Sequence, residues 1–324
     1  MTLVTSEPAP ATRLASALGE PSRPVRSRSQ WRTWGPLWVL MLPGIAYFLI
    51  FRFWPMWGAQ IAFRDYVPFL GIDGSQWVGF KHFENFFGNP DFARLLGNTL
   101  IIAGLSLFIA FPLTIVIALL LNEVRVAVLK RTIQTLIYIP HFLSWTVVVS
   151  LTALLFALGT GPLATFLDEV FGGPTNYLGD PSWFRPLIVF QEIWKNTGWG
   201  TIIFLAALAG VDQEQYEAAI IDGAGRWQRV WHITLPSIQS TIIVLLILQS
   251  GQILNTGFEQ IYLMSNALNR SVADVFDTYV YYTGILQGAY SYSTAVGLSK
   301  AIVGVVLVFG TNWLAKRFNQ TGIF

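Results

Sequence analysis

Six long apolar stretches constrain the fold of this chain more than any other feature of its sequence. A helix needs about 20 mostly apolar residues to cross the hydrocarbon core of a bilayer. Hydrophobic residues make up 53% of the 324 residues and charged residues only 12%, about half of the charged fraction in a typical soluble domain. The sequence therefore predicts an all-α polytopic membrane protein with six transmembrane helices, at about 36–57, 97–121, 132–156, 186–208, 238–256 and 294–315.

Lysine and arginine are distributed unevenly between the two sides that six spans would create. One side receives twelve of these residues, in the N-terminal segment, the second and fourth connections and the C-terminus, and the other side receives five. Because basic residues accumulate on the cytoplasmic side of membrane proteins, we expect both termini to be cytoplasmic.

The first 34 residues differ in composition from the rest of the chain. They are rich in serine, proline, alanine and arginine, and such a segment cannot bury a hydrophobic core. We expect residues 1–34 to form a disordered, arginine-rich cytoplasmic tail in front of a retained span, not a signal peptide. Residues 35–318 then form the transmembrane domain, and residues 319–324 a short C-terminal tail.

A compact polar segment interrupts the apolar pattern on the predicted cytoplasmic side. Residues 211–236, here called the coupling loop, predict two short helices with a bend, because Gly223 and Gly225 follow a run of helix formers. Asp222 is placed to cap the second helix, and Pro236 is expected to end that helix and to start the fifth span. A membrane loop needs no such structure unless another protein docks there, so we expect a docking site.

The coupling loop also carries a family motif. Glu217, Ala218 and Ala219, then Gly223, then the sequence ITLP at 233–236, resemble the EAA loop of binding-protein-dependent ABC importers, and the stretch EAAIIDGAGRWQRVWHITLP is similar to the carbohydrate-importer version. The resemblance covers about residues 36–318 and implies a type I ABC importer permease fold in the inner membrane of a bacterium. In that family the loop forms a coupling helix that sits in a cleft of the ATPase. The resemblance implies ATPase contacts from Glu217, Ala218, Ala219, Asp222, Gly223, Ala224, Arg226 and Pro236; the alternative is that Glu217 and Arg226 serve only local capping and solvation.

Three further stretches narrow the resemblance. They are similar to permeases of bacterial alginate, oligouronate and complex-polysaccharide importers, and they read AFRDYVPFLGIDGSQWVGFKHFENFF, IYIPHFLSW and ADVFDTYVYYTGILQGAYSYSTAVGLSKAIVGVVLVFGTNWLAKR. This likeness implies import of oligosaccharides from periplasm to cytoplasm, with acidic ones such as alginate oligosaccharides as the expected substrate.

The sequence contains no phosphate-binding loop of the form G-x-x-x-x-G-K-[ST], so ATP is expected to be hydrolysed by another chain. We also find no catalytic or metal-binding constellation, and we expect a non-catalytic subunit without a cofactor of its own. The resemblance implies a second homologous permease subunit, two ATP-binding subunits that hold ATP and Mg, and a periplasmic solute-binding protein. Oligosaccharide and membrane lipid complete the expected partners, and nucleic acid is not among them.

Polar residues inside two predicted spans are candidates for the substrate pathway. Glu192, Lys195 and Asn196 lie in the fourth span, where charges are costly and usually face a watery interior. A second interpretation is that Glu192 and Lys195 form an internal ion pair. The fifth span carries Gln249, Gln252 and Asn255 at three-residue spacing, which suits either sugar hydroxyls or hydrogen bonds between helices.

Three other functions remain open from the sequence alone. The chain could be an ABC permease for another solute class, such as glycerol phosphate or peptides. It could be a non-transporting membrane scaffold or sensor that recruits a soluble partner through the coupling loop. A proton-coupled carrier is disfavoured, because the two halves show no internal repeat.

Overall fold

The computed structural model describes residues 30–173 and 175–317 of the chain, and these are mostly helical. The chain divides into two compact units, one ending at Gly58 and the other beginning at Ala59. In the first unit, α1 (Gln30–Phe48) continues through a π-helical turn (Leu49–Phe53) into α2 (Trp54–Met56).

The predicted tails can be compared with the structure only in part. Helix α1 begins at Gln30, so residues 30–34, assigned to the N-terminal tail from the sequence, are helical. The remainder of that tail and the C-terminal tail at 319–324 lie outside the described residues.

A small hairpin opens the second unit, after a 3-10 segment at Trp57–Phe63. Arg64 pairs with Trp77 across its two antiparallel strands, and Arg64 Nη1 donates to the carbonyl oxygens of Ile72 at 2.9 Å and Ser75 at 3.0 Å. The ammonium group of Lys81, 2.7 Å from the carboxylate of Asp65, holds the pKa of Asp65 below its ordinary value. The elements in this region are β1 (Arg64–Val67), α3 (Gly71–Gly74), β2 (Ser75–Trp77) and α4 (Lys81–Phe87).

Helices make up the regular structure of the rest of the second unit. They are α5 (Phe92–Leu105), α6 (Phe111–Glu123), α7 (Ala127–Tyr138), α8 (Trp145–Leu155), α9 (Pro162–Phe171), α10 (Pro181–Ala209), α11 (Gln213–Ile221), α12 (Arg226–Arg229), α13 (Leu235–Gln252), α14 (Phe258–Met264), α15 (Arg270–Ala273), α16 (Phe276–Val280) and α17 (Tyr290–Arg317).

Four of the described helices are long and apolar enough to cross a membrane: Trp34–Phe63, Phe92–Glu123, Arg226–Gln252 and Tyr290–Arg317. The third predicted span is not one straight helix, because Ala127–Phe142 and Trp145–Leu155 meet at an angle of 101°. Its sequence explains the break, since Pro140 lies in a 3-10 turn and Ser144 caps the helix that follows. The fourth predicted span corresponds to α10, whose 29 residues are long enough but too polar for the same test.

Three of the long helices carry a π-helical turn that ends two residues before a proline. The turns Leu49–Phe53, Ser106–Ala110 and Val230–Thr234 precede Pro55, Pro112 and Pro236, respectively. Proline lacks an N–H and clashes with the carbonyl four residues earlier, and the wider turn accommodates both effects without ending the helix. The prediction that Pro236 ends a helix is therefore wrong, because the helix is continuous from Arg226 to Gln252.

Helix α10 lies at the centre of the second unit and contacts α6, α7, α13, α14 and α15. Its N-terminal half packs into one apolar cluster through Phe184, Leu187 and Ile188, and its C-terminal half packs into another through Phe204 and Leu208. The approach of α7 is very close, since a methyl group at Gly198 would lie 2.0 Å from the carbonyl oxygen of Ile137. The residues of α10 between the two clusters are therefore held in fixed positions.

Candidate functional site

The first helix of the coupling loop has defined ends. Asp212 caps the N-terminus of α11, where its carboxylate accepts a hydrogen bond from the N–H of Glu214 at 3.0 Å. At the other end the N–H of Ala224 donates to the carbonyl of Ala219 at 2.8 Å, and Gly223 has a positive φ of 78°. Glycine suits this position because a side chain strains the left-handed backbone conformation. The bend at Gly223 is thus a hydrogen-bonded helix terminus, as the sequence indicates.

The start of α12 differs from the sequence-based expectation. Asp222 lies at the C-terminal cap of α11, and the residue that precedes α12 is Gly225. The side chain of Gln228 reaches back so that its Oε1 accepts from the N–H of Gly225 at 2.8 Å. The prediction that Asp222 caps the second helix is therefore wrong, because Gly225 and not Asp222 occupies the N-cap position of α12.

A side-chain contact joins the two parts of the coupling loop. The hydroxyl of Tyr216 on α11 lies 2.9 Å from Oγ1 of Thr234, which is buried before α13. Tyr216 also packs against the apolar cluster of Leu208 and Ile238. The coupling loop is therefore attached both to α10 and to the long helix that follows it.

The tip of the coupling loop is accessible. Glu217, Ala218, Asp222, Gly223, Arg226 and Pro236 are exposed, whereas Ala219 and Ala224 are half-buried. Large apolar side chains are also exposed here, including Ile221 at 84% and Trp227 at 76%. A notch of about 420 Å³ lies between α11 and α12, lined in part by Ala219, Gly223 and Ala224. A polar surface that also exposes apolar side chains has the character of a protein interface.

A second feature is a cavity of about 330 Å³ among α6, α10 and α13. Four of the six residues assigned to the substrate pathway line it: Glu192, Asn196, Gln249 and Gln252. Thr197, which was not singled out in the sequence, also lies in this lining. The structure therefore brings the polar residues of the fourth and fifth predicted spans together around one space.

Lys195 does not line this cavity. Its side chain is buried, and its Nζ donates to the carbonyl oxygens of His141, at 2.7 Å, and Leu143. It also lies 5.5 Å from the ring centre of Trp145. These carbonyls belong to the break between α7 and α8, where the helical hydrogen bonds are interrupted. Lys195 therefore stabilises the broken span, and it forms no ion pair with Glu192 among the described residues.

Asn255 also lies outside the cavity lining. Its amide donates to Oε1 of Gln252, so the two amides contact each other. Asn196 is placed differently, since its Oδ1 lies 3.1 Å from Nδ1 of His141, whose ring stacks on Trp199 at 4.6 Å. The six predicted pathway residues thus divide into a cavity group of four and two, Lys195 and Asn255, with other contacts.

Sequence reasoning missed a buried polar network beside the cavity. Gln191 Nε2 donates to Oγ1 of Thr152 at 2.8 Å, and its Oε1 accepts from Gln260 at 3.0 Å. Gln260 also donates to the carbonyl of Ile188 at 2.8 Å. The network joins α8, α10 and α14, and the only sequence signal for it was an amide in an apolar stretch.

Comparison with known proteins gives matches along most of the chain. Residues 110–320 match the model of the family described as "Binding-protein-dependent transport system inner membrane component". Protein LplB of Bacillus subtilis (strain 168) is 64% identical over 288 residues, which cover 89% of this chain and 91% of LplB. The polygalacturonan/rhamnogalacturonan transport system permease protein YteP of the same organism is 56% identical, with 89% of this chain and 90% of YteP covered.

A solved structure is similar over nearly its whole length. A chain of a bacterial alginate ABC transporter, solved in complex with an alginate pentasaccharide-bound periplasmic protein, superimposes with a TM-score of 0.83 and is 37% identical. The match covers 91% of this chain and 98% of that chain.

Proposed function

The chain belongs to the family of binding-protein-dependent transport system inner membrane components, and on this premise we propose that it moves acidic oligosaccharides through an ATP-driven importer. As an ABC transporter permease, it is a non-catalytic subunit. The observation that carries the proposal is the exposed, hydrogen-bonded bend between α11 and α12.

The proposed assembly has three kinds of protein partner. A second homologous permease completes the translocation path, and a periplasmic solute-binding protein delivers the oligosaccharide. Two ATP-binding subunits hold ATP and Mg on the cytoplasmic side. The similar alginate transporter was solved with a periplasmic protein, which supports the delivery step.

The coupling loop transmits motion from the ATPase to the spans. Glu217 makes a charged hydrogen bond in the ATPase cleft, Ala218 and Ala219 permit close contact, and Gly223 fixes the bend. Closure of the ATPase dimer on ATP then moves α11 and α12, and the spans change from inward-facing to outward-facing. The bond between Tyr216 and Thr234 supports this role, because it connects α11 to the start of α13.

The proposal includes a six-span topology with both termini in the cytoplasm. α10 serves as the fourth span, because Gln191 and Lys195 are buried and Glu192 and Asn196 face the cavity and not the lipid. The bent pair α7 and α8 serves as the third. The excess of basic residues on one side supports this orientation.

The substrate class is the most specific part of the proposal, and it rests on the names of the similar proteins. YteP is named for polygalacturonan and rhamnogalacturonan transport, and the similar transporter structure for alginate. These polymers contain uronic acids. We therefore expect acidic oligosaccharides, with alginate oligosaccharides as the first to test.

Uptake by reconstituted vesicles tests the function. The wild-type complex with its ATPase and binding protein is expected to accumulate alginate oligosaccharides when ATP is supplied on the cytoplasmic side, and a proton gradient is expected not to replace ATP. Glu217→Lys is expected to abolish uptake while the protein still inserts into the membrane. Glu169→Lys, the same charge change at an exposed residue of α9, serves as the control. Normal uptake by Glu217→Lys would contradict the docking role.

A further inference from the structure

The cavity among α6, α10 and α13 has an unbalanced charge. Its lining includes the carboxylate of Glu192 and no lysine, arginine or histidine of the described residues. The nearest basic residue along α10, Lys195, is turned to the broken third span and donates to carbonyl oxygens there. Lys195 acts on Glu192 through space but forms no ion pair with it among the described residues. Inside a membrane protein such a carboxylate acts strongly on other charges, because little water screens it.

The other polar groups in the lining are neutral. Asn196, Gln249 and Gln252 each present an amide, which both donates and accepts hydrogen bonds. A volume of about 330 Å³ lies within the range of small-molecule sites. The cavity can therefore surround a small uncharged group that is rich in hydroxyls.

Thr197 is a further polar residue of the lining. The residue is 96% buried and lines the cavity, yet its Oγ1 has no hydrogen-bond partner among the described residues. Buried hydroxyls without a partner are uncommon, because leaving one unpaired costs about 1–3 kcal/mol. Because this oxygen has almost no accessible surface, Glu192 and the amides of the lining are the groups that support a ligand here.

Resting on the function proposed above, we propose that Glu192 determines specificity in this cavity, which binds the uncharged, hydroxyl-bearing face of a sugar and excludes its carboxylates. Glu192 accepts hydrogen bonds from sugar hydroxyls, and it repels a uronate group that is turned towards α10. An acidic oligosaccharide then passes with its carboxylates directed away from this cavity.

A cysteine reporter measures binding in the cavity without requiring transport. The chain contains no cysteine, so Leu248→Cys places a single thiol in the lining. The purified complex is treated with a water-soluble maleimide in the presence of a uronic-acid oligosaccharide or of its carboxyl-reduced form of equal length. We expect the carboxyl-reduced form to protect the thiol at the lower concentration.

Glu192→Gln in this background tests the residue itself. Loss of the charged acceptor is expected to weaken protection by the carboxyl-reduced form about fivefold. Protection by the acidic form is expected to improve, because the repulsion is removed. Glu259→Gln, at an exposed residue outside the lining, is the matched control and is expected to change neither value.

The outcomes separate this inference from the proposed function. Equal protection by the two oligosaccharides, absence of protection by either, or an unchanged ratio in Glu192→Gln would each overturn the role of Glu192, even if the wild-type complex imports alginate oligosaccharides. Conversely, a complex that shows the expected protection but no ATP-dependent uptake would contradict the proposed function and leave the role of Glu192 supported.

Discussion

Replacing Lys195 by methionine gives the sharpest contrast between the structure and the sequence. Methionine keeps most of the side-chain volume but removes the ammonium group that donates to the carbonyl oxygens of His141 and Leu143. If Lys195 lined the substrate pathway, the change would affect transport of acidic substrates. If Lys195 stabilises the broken third span, the change will affect stability.

The expected loss of stability can be estimated from the two hydrogen bonds. Each buried carbonyl that loses its donor costs about 1–3 kcal/mol, so Lys195→Met is expected to lower the free energy of unfolding by about 2–6 kcal/mol. The lower end applies if water enters the break between α7 and α8. Lys195→Arg retains a cation and N–H donors, so its loss is expected to be smaller.

Two measurements decide between the roles. The free energy of unfolding is measured by denaturant titration in mixed micelles, and the KM for acidic and carboxyl-reduced oligosaccharides is measured in vesicles that contain equal amounts of folded complex. We expect lower stability in Lys195→Met and an unchanged ratio of the two KM values. A loss below 1 kcal/mol together with selectively weaker uptake of the acidic substrate would refute the structural role.

Three further predictions concern other parts of the chain. Proline at position 223 cannot adopt the φ of 78°, so Gly223→Pro is expected to abolish ATP-driven uptake. Asparagine tolerates this conformation, so Gly223→Asn is expected to retain uptake. Equal uptake by the two variants in vesicles would contradict the role of the bend. Gly198→Ala places a methyl group 2.0 Å from the Ile137 carbonyl oxygen. It is expected to lower the free energy of unfolding by about 1–3 kcal/mol, as in other overpacked cores, and denaturant titration measures the loss. Because the pKa of Asp65 is lowered, its bond to Lys81 stabilises the hairpin at pH values above the ordinary pKa of 3.8, and this stabilisation is lost as the pH falls through the lowered pKa. Hydrogen exchange of the hairpin amides is expected to become faster at acid pH in the wild type and not in Asp65→Asn.

The helical architecture could be predicted from the sequence because long apolar stretches in a membrane have few alternatives to a helix. The bend of 101° in the third span could not be predicted, since it depends on how the carbonyls of His141 and Leu143 at the break find a donor on another helix. That donor, Lys195, lies more than 50 residues away in the sequence, and local spacing carries no information about such a pair.

In the coupling loop, too, some features could be predicted from the sequence and others could not. The bend at Gly223 could be predicted because it depends on local backbone conformation. The sequence could not predict whether Asp222 or Gln228 accepts a hydrogen bond at the start of α12, since both types of side chain can satisfy an N-terminal N–H. The cavity was recognisable as four polar residues on two helices, but the buried hydroxyl of Thr197 carries no signal in one sequence.

The central claim is that the tip of the coupling loop contacts an ATP-hydrolysing subunit. Ala218→Cys introduces a single thiol at this exposed tip, and a short bifunctional reagent can join it to the neighbouring subunit in native membranes. We predict a covalent product with the ATPase whose yield changes when ATP is bound, and no such product from a cysteine placed at Glu169 on α9. Efficient labelling of the Ala218→Cys thiol without any product that contains an ATPase would contradict the account.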